Sequence, residues 1–197
     1  LLQTLLGLLP AQRGQIYWNG ELVENPGEFF VPPRSAYTPQ VPLLFSESLK
    51  ENILMGLPGE KTDVESALST AVFEQDIKEI PKGLSAVVGA KGVKLSGGQR
   101  QRIAAARMFV RQPSLLVFDD ISSALDVETE RKLWTRIFEN QRDATCLVVS
   151  HRKPALQRAD QILVLKEGQI EAVGKLDDLL HSNGEMQKLW HGDLDKS

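Results

Sequence analysis

The sequence predicts an α/β fold with a mostly parallel sheet, and three observations carry that prediction. Leu115-Leu116-Val117-Phe118 is a continuous apolar run, as expected of a strand covered on both faces. Thr145 to Val149 is a second such run. Between them, Glu128 to Glu139 has the charged, amphipathic pattern of a helix. Buried strands that alternate with helices assemble a parallel sheet.

Taken in order, Leu1 to Leu9 reads as a short helix ended by Pro10, which has no N–H to continue the ladder. Gln15 to Trp18 and Glu21 to Val23 read as a hairpin turned at Asn19-Gly20, a pair suited to the positive φ angles of a tight turn. Pro26-Gly27 and Pro32-Pro33 mark a loop. Ser35 to Thr38 is a short strand stopped at Pro39. From Ser48 to Ile80, helical patterns are broken by Gly56, Pro58-Gly59 and Pro81, and Pro81 to Leu95 reads as an exposed loop rich in Gly and Lys. Ser96 opens a helix, because Ser at the cap and Gln99 three residues on form a capping box. Pro113 follows the end of that helix. Ile162 to Leu165 and Gln169 to Val173 are strands around Gly168, and helices from Leu176 to Leu180 and from Glu185 to Trp190 finish the chain.

With 42% apolar and 25% charged residues, the 197-residue chain can bury a sizeable core. A net charge of −3 gives no general attraction to nucleic acid or anionic lipid, so no nucleic-acid partner is expected. No apolar stretch nears the ~18–20 residues needed to span a bilayer. The first nine residues lack the basic leader and cleavage site of a signal peptide. The single cysteine, Cys146, fits a reducing compartment, and its place in an apolar run reads as a buried, inert thiol. His181 and His191 read as surface residues.

Chemistry concentrates in four places. Leu95-Ser96-Gly97-Gly98-Gln99 puts two glycines at a positive helix end, where bare N–H groups make an anion site. The run Leu115 to Phe118 leads into Asp119-Asp120, and ligands of open α/β sheets bind at the carboxyl ends of strands. One carboxylate there can hold Mg²⁺ bound to a nucleotide, and a second can orient an attacking water. Ser122-Ser123-Ala124-Leu125-Asp126 follows directly, and Val148-Val149-Ser150-His151 places a histidine at the end of the next strand.

In this order and spacing, the pieces resemble the ATP-binding cassette (ABC) ATPase family along essentially the whole chain. Leu95 to Gln99 is similar to the family's signature, Leu115 to Asp119 to its Walker B strand, Ser123 to Asp126 to its D-loop and His151 to its switch histidine. Tyr37-Thr38-Pro39-Gln40 looks like the Q-loop; Val41 to Met55 and Val88-Gly89-Ala90-Lys91-Gly92 resemble exporter-type members. The resemblance implies a P-loop NTPase-type core from residues 1–40 and 111–197, with an antiparallel β part, and an inserted helical subdomain at 41–110. It implies ATP and Mg²⁺ as ligands. Asp119 would act on Mg²⁺, Gln40 on Mg²⁺ and water, Asp120 on the water and His151 on the γ-phosphate. Ser96, Gly97, Gly98 and Gln99 would complete the site of a second ABC ATPase domain, and Asp126 would link the two sites. Gly98→Asp is accordingly expected to block the partner's site and spare nucleotide binding by the monomer. The implied setting is the cytoplasmic face of a membrane, beside the transmembrane domains of an exporter.

Two departures stand out. The P-loop pattern G-x-x-x-x-G-K-[ST] is absent. In the family it directly precedes a helix like Leu1 to Leu9, so the sequence is expected to continue upstream, and the 197 residues alone to hold ATP weakly and stay inactive. Residue 120 is Asp where the family has Glu, one methylene short of the water. A misplacement of roughly 1 Å can cost ~10²-fold in rate, so a subunit that binds ATP but hydrolyses it poorly is one alternative. A soluble ABC ATPase is the other, and it would need a long coiled coil or a second cassette.

Overall fold

A computed structural model of the chain describes residues 1–59, 62–89 and 92–192. It divides into two compact units, Leu1–Val148 and Val149–Ser197. The expected boundaries at 40/41 and 110/111 both fall inside the first.

The first unit opens with α1 (Leu2–Leu5), shorter than the helix expected over Leu1 to Leu9. Gly7 takes φ +71° and lies so close to Gly27 that a Cβ would sit 2.1 Å from the Gly27 nitrogen. The helix therefore ends at this contact, before Pro10. A hairpin of β1 (Tyr17–Trp18) and β2 (Glu21–Leu22) turns through Asn19 and Gly20, both at positive φ. The predicted loop at Pro26 is instead a single helical turn, α2 (Pro26–Phe29), with Pro in the first turn where no N–H is needed. Trp18 packs edge-on against Phe29 and Phe30.

Next comes β3 (Ser35–Thr38). From there to residue 109 the described helices are α3 (Leu49–Leu54), α4 (Val64–Thr70), α5 (Asp76–Glu79) and α6 (Gly97–Phe109). The segment 88–92 crosses residues outside those described; Val88 bridges Val93. Arg107 of α6 and Arg111, two residues beyond that helix, close the end of α3. Arg107 donates to the carbonyls of Asn52 (2.7 Å) and Leu43 (3.3 Å), and Arg111 to those of Ile53 (3.3 Å) and Leu54 (2.9 Å). The last carbonyls of a helix lack intrahelical partners, and these guanidinium groups supply them.

The central strand β4 (Leu115–Asp119) pairs in parallel with β3, Thr38 opposite Phe118, and β5 (Thr145–Val149) lies on its other edge. Leu115 and Val117 face Leu2 and Leu6, while Phe118 stacks edge-on against Phe109 and against Trp134 of α7 (Val127–Asn140). Both faces of β4 are thus covered, as its sequence requires. β5 differs: expected to be buried, it is half-exposed along its length. Phe118→Ala should cost about 3–5 kcal/mol, as for other buried aromatic truncations, read as a lower urea midpoint.

The second unit holds α8 (Lys153–Leu156), an antiparallel pair β6 (Ile162–Lys166) and β7 (Gln169–Gly174), then α9 (Leu176–Ser182) and α10 (Gly184–His191). Ile162, Val164, Leu179 and Met186 form its core. His181 and His191 are exposed, as expected. The chain is therefore mixed α/β, with a three-stranded sheet in which β3 and β4 run parallel, and two antiparallel hairpins, among the described residues.

Candidate functional site

The parallel register of β3 and β4 builds the centre of the site. With Thr38 opposite Phe118, the two chains run on in step and bring out Gln40 and Asp120 side by side. Gln40 Nε2 donates to Asp120 Oδ2 at 3.3 Å. Asp120 is 8% exposed and adopts φ +50°, a left-handed conformation that Asp and Asn tolerate better than most residues. Its other oxygen, Oδ1, is buried with no hydrogen-bond partner among the described residues. A buried acceptor left unpaired costs free energy, and it marks where a donor fits.

Asp119, at the end of β4, accepts from the Tyr37 hydroxyl at 3.3 Å. Burial, together with the negative Asp119, holds the Tyr37 phenol above its usual range, so it remains a donor. No group of three or more His, Cys, Asp or Glu side chains is placed to hold a metal ion among the described residues. The hard oxygens of Asp119 and Gln40 fit a cation that arrives with a nucleotide instead, because Mg²⁺ is typically held by one or two carboxylates plus substrate phosphates.

The Ser96 turn forms as its sequence predicts. Ser96 Oγ accepts from Gln99 N at 3.1 Å, and Gln99 Oε1 accepts from Ser96 N at 2.9 Å. Gly97 and Gly98 occupy the first turn of α6, whose N–H groups have no intrahelical acceptor. Gly98 is buried: a Cβ there would lie 2.7 Å from the Ala124 carbonyl oxygen and 3.1 Å from a Leu125 methyl. The loop from Ser122 to Asp126 therefore lies directly on this turn. Any side chain at Gly98 strikes its own chain first, so the expectation that Gly98→Asp acts purely across an interface does not hold.

Asp126 caps α7, its Oδ1 accepting from Glu128 N (3.1 Å) and Thr129 N (3.0 Å). The hydrogen bonds at Thr129, foremost, hold its carboxyl below the usual range. His151 belongs to the second unit, where it is exposed and follows Ser150, whose hydroxyl accepts from Arg152 N at 3.0 Å. Cys146 is half-buried, and burial pushes its thiol up to about 11, which removes it as a nucleophile at neutral pH.

Two residues escaped the sequence reading. Gln101 is 3% exposed and donates to Ser123 Oγ at 2.8 Å and to the Gln40 carbonyl at 3.3 Å. Its signal was legible: it is a polar residue in the buried stripe Gly98, Gln101, Ala105, Met108. Asp76 accepts from Gln99 (2.9 Å) and forms an ion pair with Arg102 (2.5 Å), bracing the Ser96 turn from α5. Arg102 also donates to the carbonyl of Val72, a β-branched residue at φ +56°. No local pattern announces a partner 23 residues away.

Comparison with known proteins agrees with this geometry. Residues 1–123, more than half of the chain, match the family described as ABC transporter. A "Probable multidrug resistance ABC transporter ATP-binding/permease protein" of Bacillus subtilis is 39% identical over 186 residues, 93% of this chain and 32% of the relative. An ATP-dependent lipid A-core flippase of Pseudomonas fluorescens is 38% identical over 194 residues, 94% of this chain and 32% of its own length. The solved structure of a bacterial Atm1-family ABC exporter with ATP bound superposes with a TM-score of 0.88 at 28% identity, covering 98% of this chain and 34% of the other. The chain thus spans about a third of the length of each of these three proteins. With its family match and its relatives in agreement, the chain belongs to the ABC transporter family.

Proposed function

We propose that this chain forms part of the ATP-hydrolysing domain that powers a membrane exporter. The observation that carries the reading is the Gln40–Asp120 pair at the carboxyl ends of two parallel strands, with Asp120 Oδ1 buried and without a hydrogen-bond partner among the described residues. In this reading Asp120 accepts the proton of the attacking water through Oδ1, while Gln40 holds the carboxylate in place through Oδ2. Asp119 and Gln40 would hold the Mg²⁺ that accompanies ATP, and the Tyr37 hydroxyl, which donates to Asp119, would keep that carboxylate in place. Magnesium supplies charge neutralisation at the phosphates when bound. The family resemblance gives His151 a role toward the γ-phosphate. Ser96, Gly97, Gly98 and Gln99 present N–H and hydroxyl donors to the nucleotide of a second ABC ATPase domain, and Asp126 joins the two sites.

The exporter relatives support a setting at the cytoplasmic face of a membrane, with transmembrane domains as partners. No helix among the described residues is long and apolar enough to cross a membrane. The test uses the complete protein in membranes. Asp119→Asn should lower ATP turnover and raise the Mg²⁺ concentration needed for half-maximal rate by about tenfold or more, the cost of one charge-assisted contact. An unchanged Mg²⁺ dependence would sink the assignment. The short Asp120 carboxylate favours a second reading, a site that binds ATP and turns it over slowly.

A further inference from the structure

Gln101 takes no part in the chemistry proposed for Asp119, Asp120 and Gln40, yet its amide is engaged at every polar atom. A primary amide has two donor hydrogens and one acceptor oxygen. Nε2 donates to Ser123 Oγ (2.8 Å) and to the Gln40 carbonyl (3.3 Å), and Oε1 accepts from Ala124 N (3.3 Å). Three segments meet on one side chain: the signature helix that carries it, the residue whose amide holds Asp120, and the loop between Asp120 and Asp126.

Spacing along α6 tightens the arrangement. Gly98 and Gln101 are three residues apart and share a face. Ala124 touches both, its carbonyl oxygen lying against Gly98 and its N–H bonded to Gln101. One residue, Ala124, is thus met on both its N–H and its carbonyl by the same helix. A shift of α6 cannot leave the Ser123-Ala124 loop or the Gln40 backbone behind without breaking a partly buried hydrogen bond.

We infer that Gln101 is a positioning residue that ties the placement of the Ser96–Gln99 turn to that of the Gln40–Asp120 pair. This rests on the role proposed for Asp120 in hydrolysis. The side chain does not touch the reacting atoms. It sets where two loops stand relative to the helix that presents the glycines.

The test compares the complete protein with Gln101→Met, Gln101→Glu and Ser123→Ala, reading hydrogen exchange by mass spectrometry beside ATP turnover. Gln101→Met keeps volume and removes every polar atom. Deuterium uptake should rise together over residues 38–42 and 121–126, and kcat should fall about 10- to 100-fold. KM for ATP should stay within about twofold, because ground-state binding is untouched. Gln101→Glu retains acceptors for Ala124 N–H and the Ser123 hydroxyl but loses the donor to Gln40. Its uptake should rise at 38–42 alone, with a smaller fall in kcat. Ser123→Ala, should Gln101→Met fail to fold, removes one neutral hydrogen bond and should cost about threefold in kcat.

Unchanged uptake in both segments, or a loss of kcat that only tracks the folded fraction, would overturn the inference. Raised uptake with wild-type kcat would overturn it too. If Asp120→Asn turns over at the wild-type rate, the assignment of Asp120 fails, and the joint rise in uptake still decides whether Gln101 ties the two segments.

Discussion

Asp120→Asn should cut ATP turnover at this site by about tenfold or more in the complete protein, and Asp120→Glu should raise it. Asparagine keeps the acceptor for Gln40 Nε2 and removes the charge that takes a proton, so it separates geometry from basicity. Loss of a positioned general base costs typically ~10²–10⁴-fold; a base already one methylene short has less to lose. Glutamate extends the carboxylate by that methylene, on the side where Oδ1 has no partner. Two effects oppose the gain. The backbone sits at φ +50°, which glutamate tolerates less well than aspartate, and the surroundings leave the residue 8% exposed. Phosphoryl transfer depends mainly on positioning and electrostatics, so reach should outweigh these costs by up to about tenfold. A slower or unchanged Glu variant, folded and binding ATP normally, would show a pocket tuned around aspartate.

The second large effect belongs to Gly98. Gly98→Ala places a methyl 2.7 Å from the Ala124 carbonyl oxygen; that peptide's N–H is bonded to the Ser122 carbonyl at 3.0 Å, and the N–H of Ala124 itself is anchored by Gln101. Backbone atoms held this way cannot step aside cheaply. The expected cost is about 1–3 kcal/mol of stability, as for overpacking generally, together with near-complete loss of hydrolysis as the Ser123-Ala124 loop is displaced. A urea titration and a turnover assay check both. Wild-type values in both would mean that the helix and the loop are not packed as described. Gly97, whose added Cβ would meet only the Ala124 side chain at 3.2 Å, is the more informative position for testing contacts across an interface.

The sequence displayed what depends on neighbours in the chain. The run Leu115 to Phe118 announces a strand covered on both faces, Ser96 and Gln99 announce a capped helix, and Asn19-Gly20 announces a hairpin. It displayed less of what depends on distant partners. The helix over Leu1 to Leu9 is cut short by a backbone contact with Gly27, twenty residues on. Pro26 and Gly27 have turn chemistry, yet Pro also suits the first turn of a helix, and composition does not choose between them. At the site, Gln40, Asp119 and Asp120 were legible from strand ends. Their mutual distance came from the register of β3 on β4, which no local pattern specifies. Asp76 and Gln101 became visible only once α6 was packed against α5 and against the loop beyond β4.

The two arginines near the end of α6 have a mechanical consequence. A helix end closed by guanidinium groups from α6 and the turn that follows it cannot fray or slide by itself, because its terminal carbonyls are shared. α3 and α6 therefore form a single strut, with the Leu43 carbonyl clasped at one end by Arg107 and the Ser96 turn at the other. Thirteen helical residues span about 20 Å at ~1.5 Å each. Leu43, which is largely exposed, is therefore coupled through its carbonyl to the helix that presents the paired glycines. The exposed side chains of Val41, Leu43 and Phe45 thus stand on a backbone tied to the helix that carries the Ser96 turn.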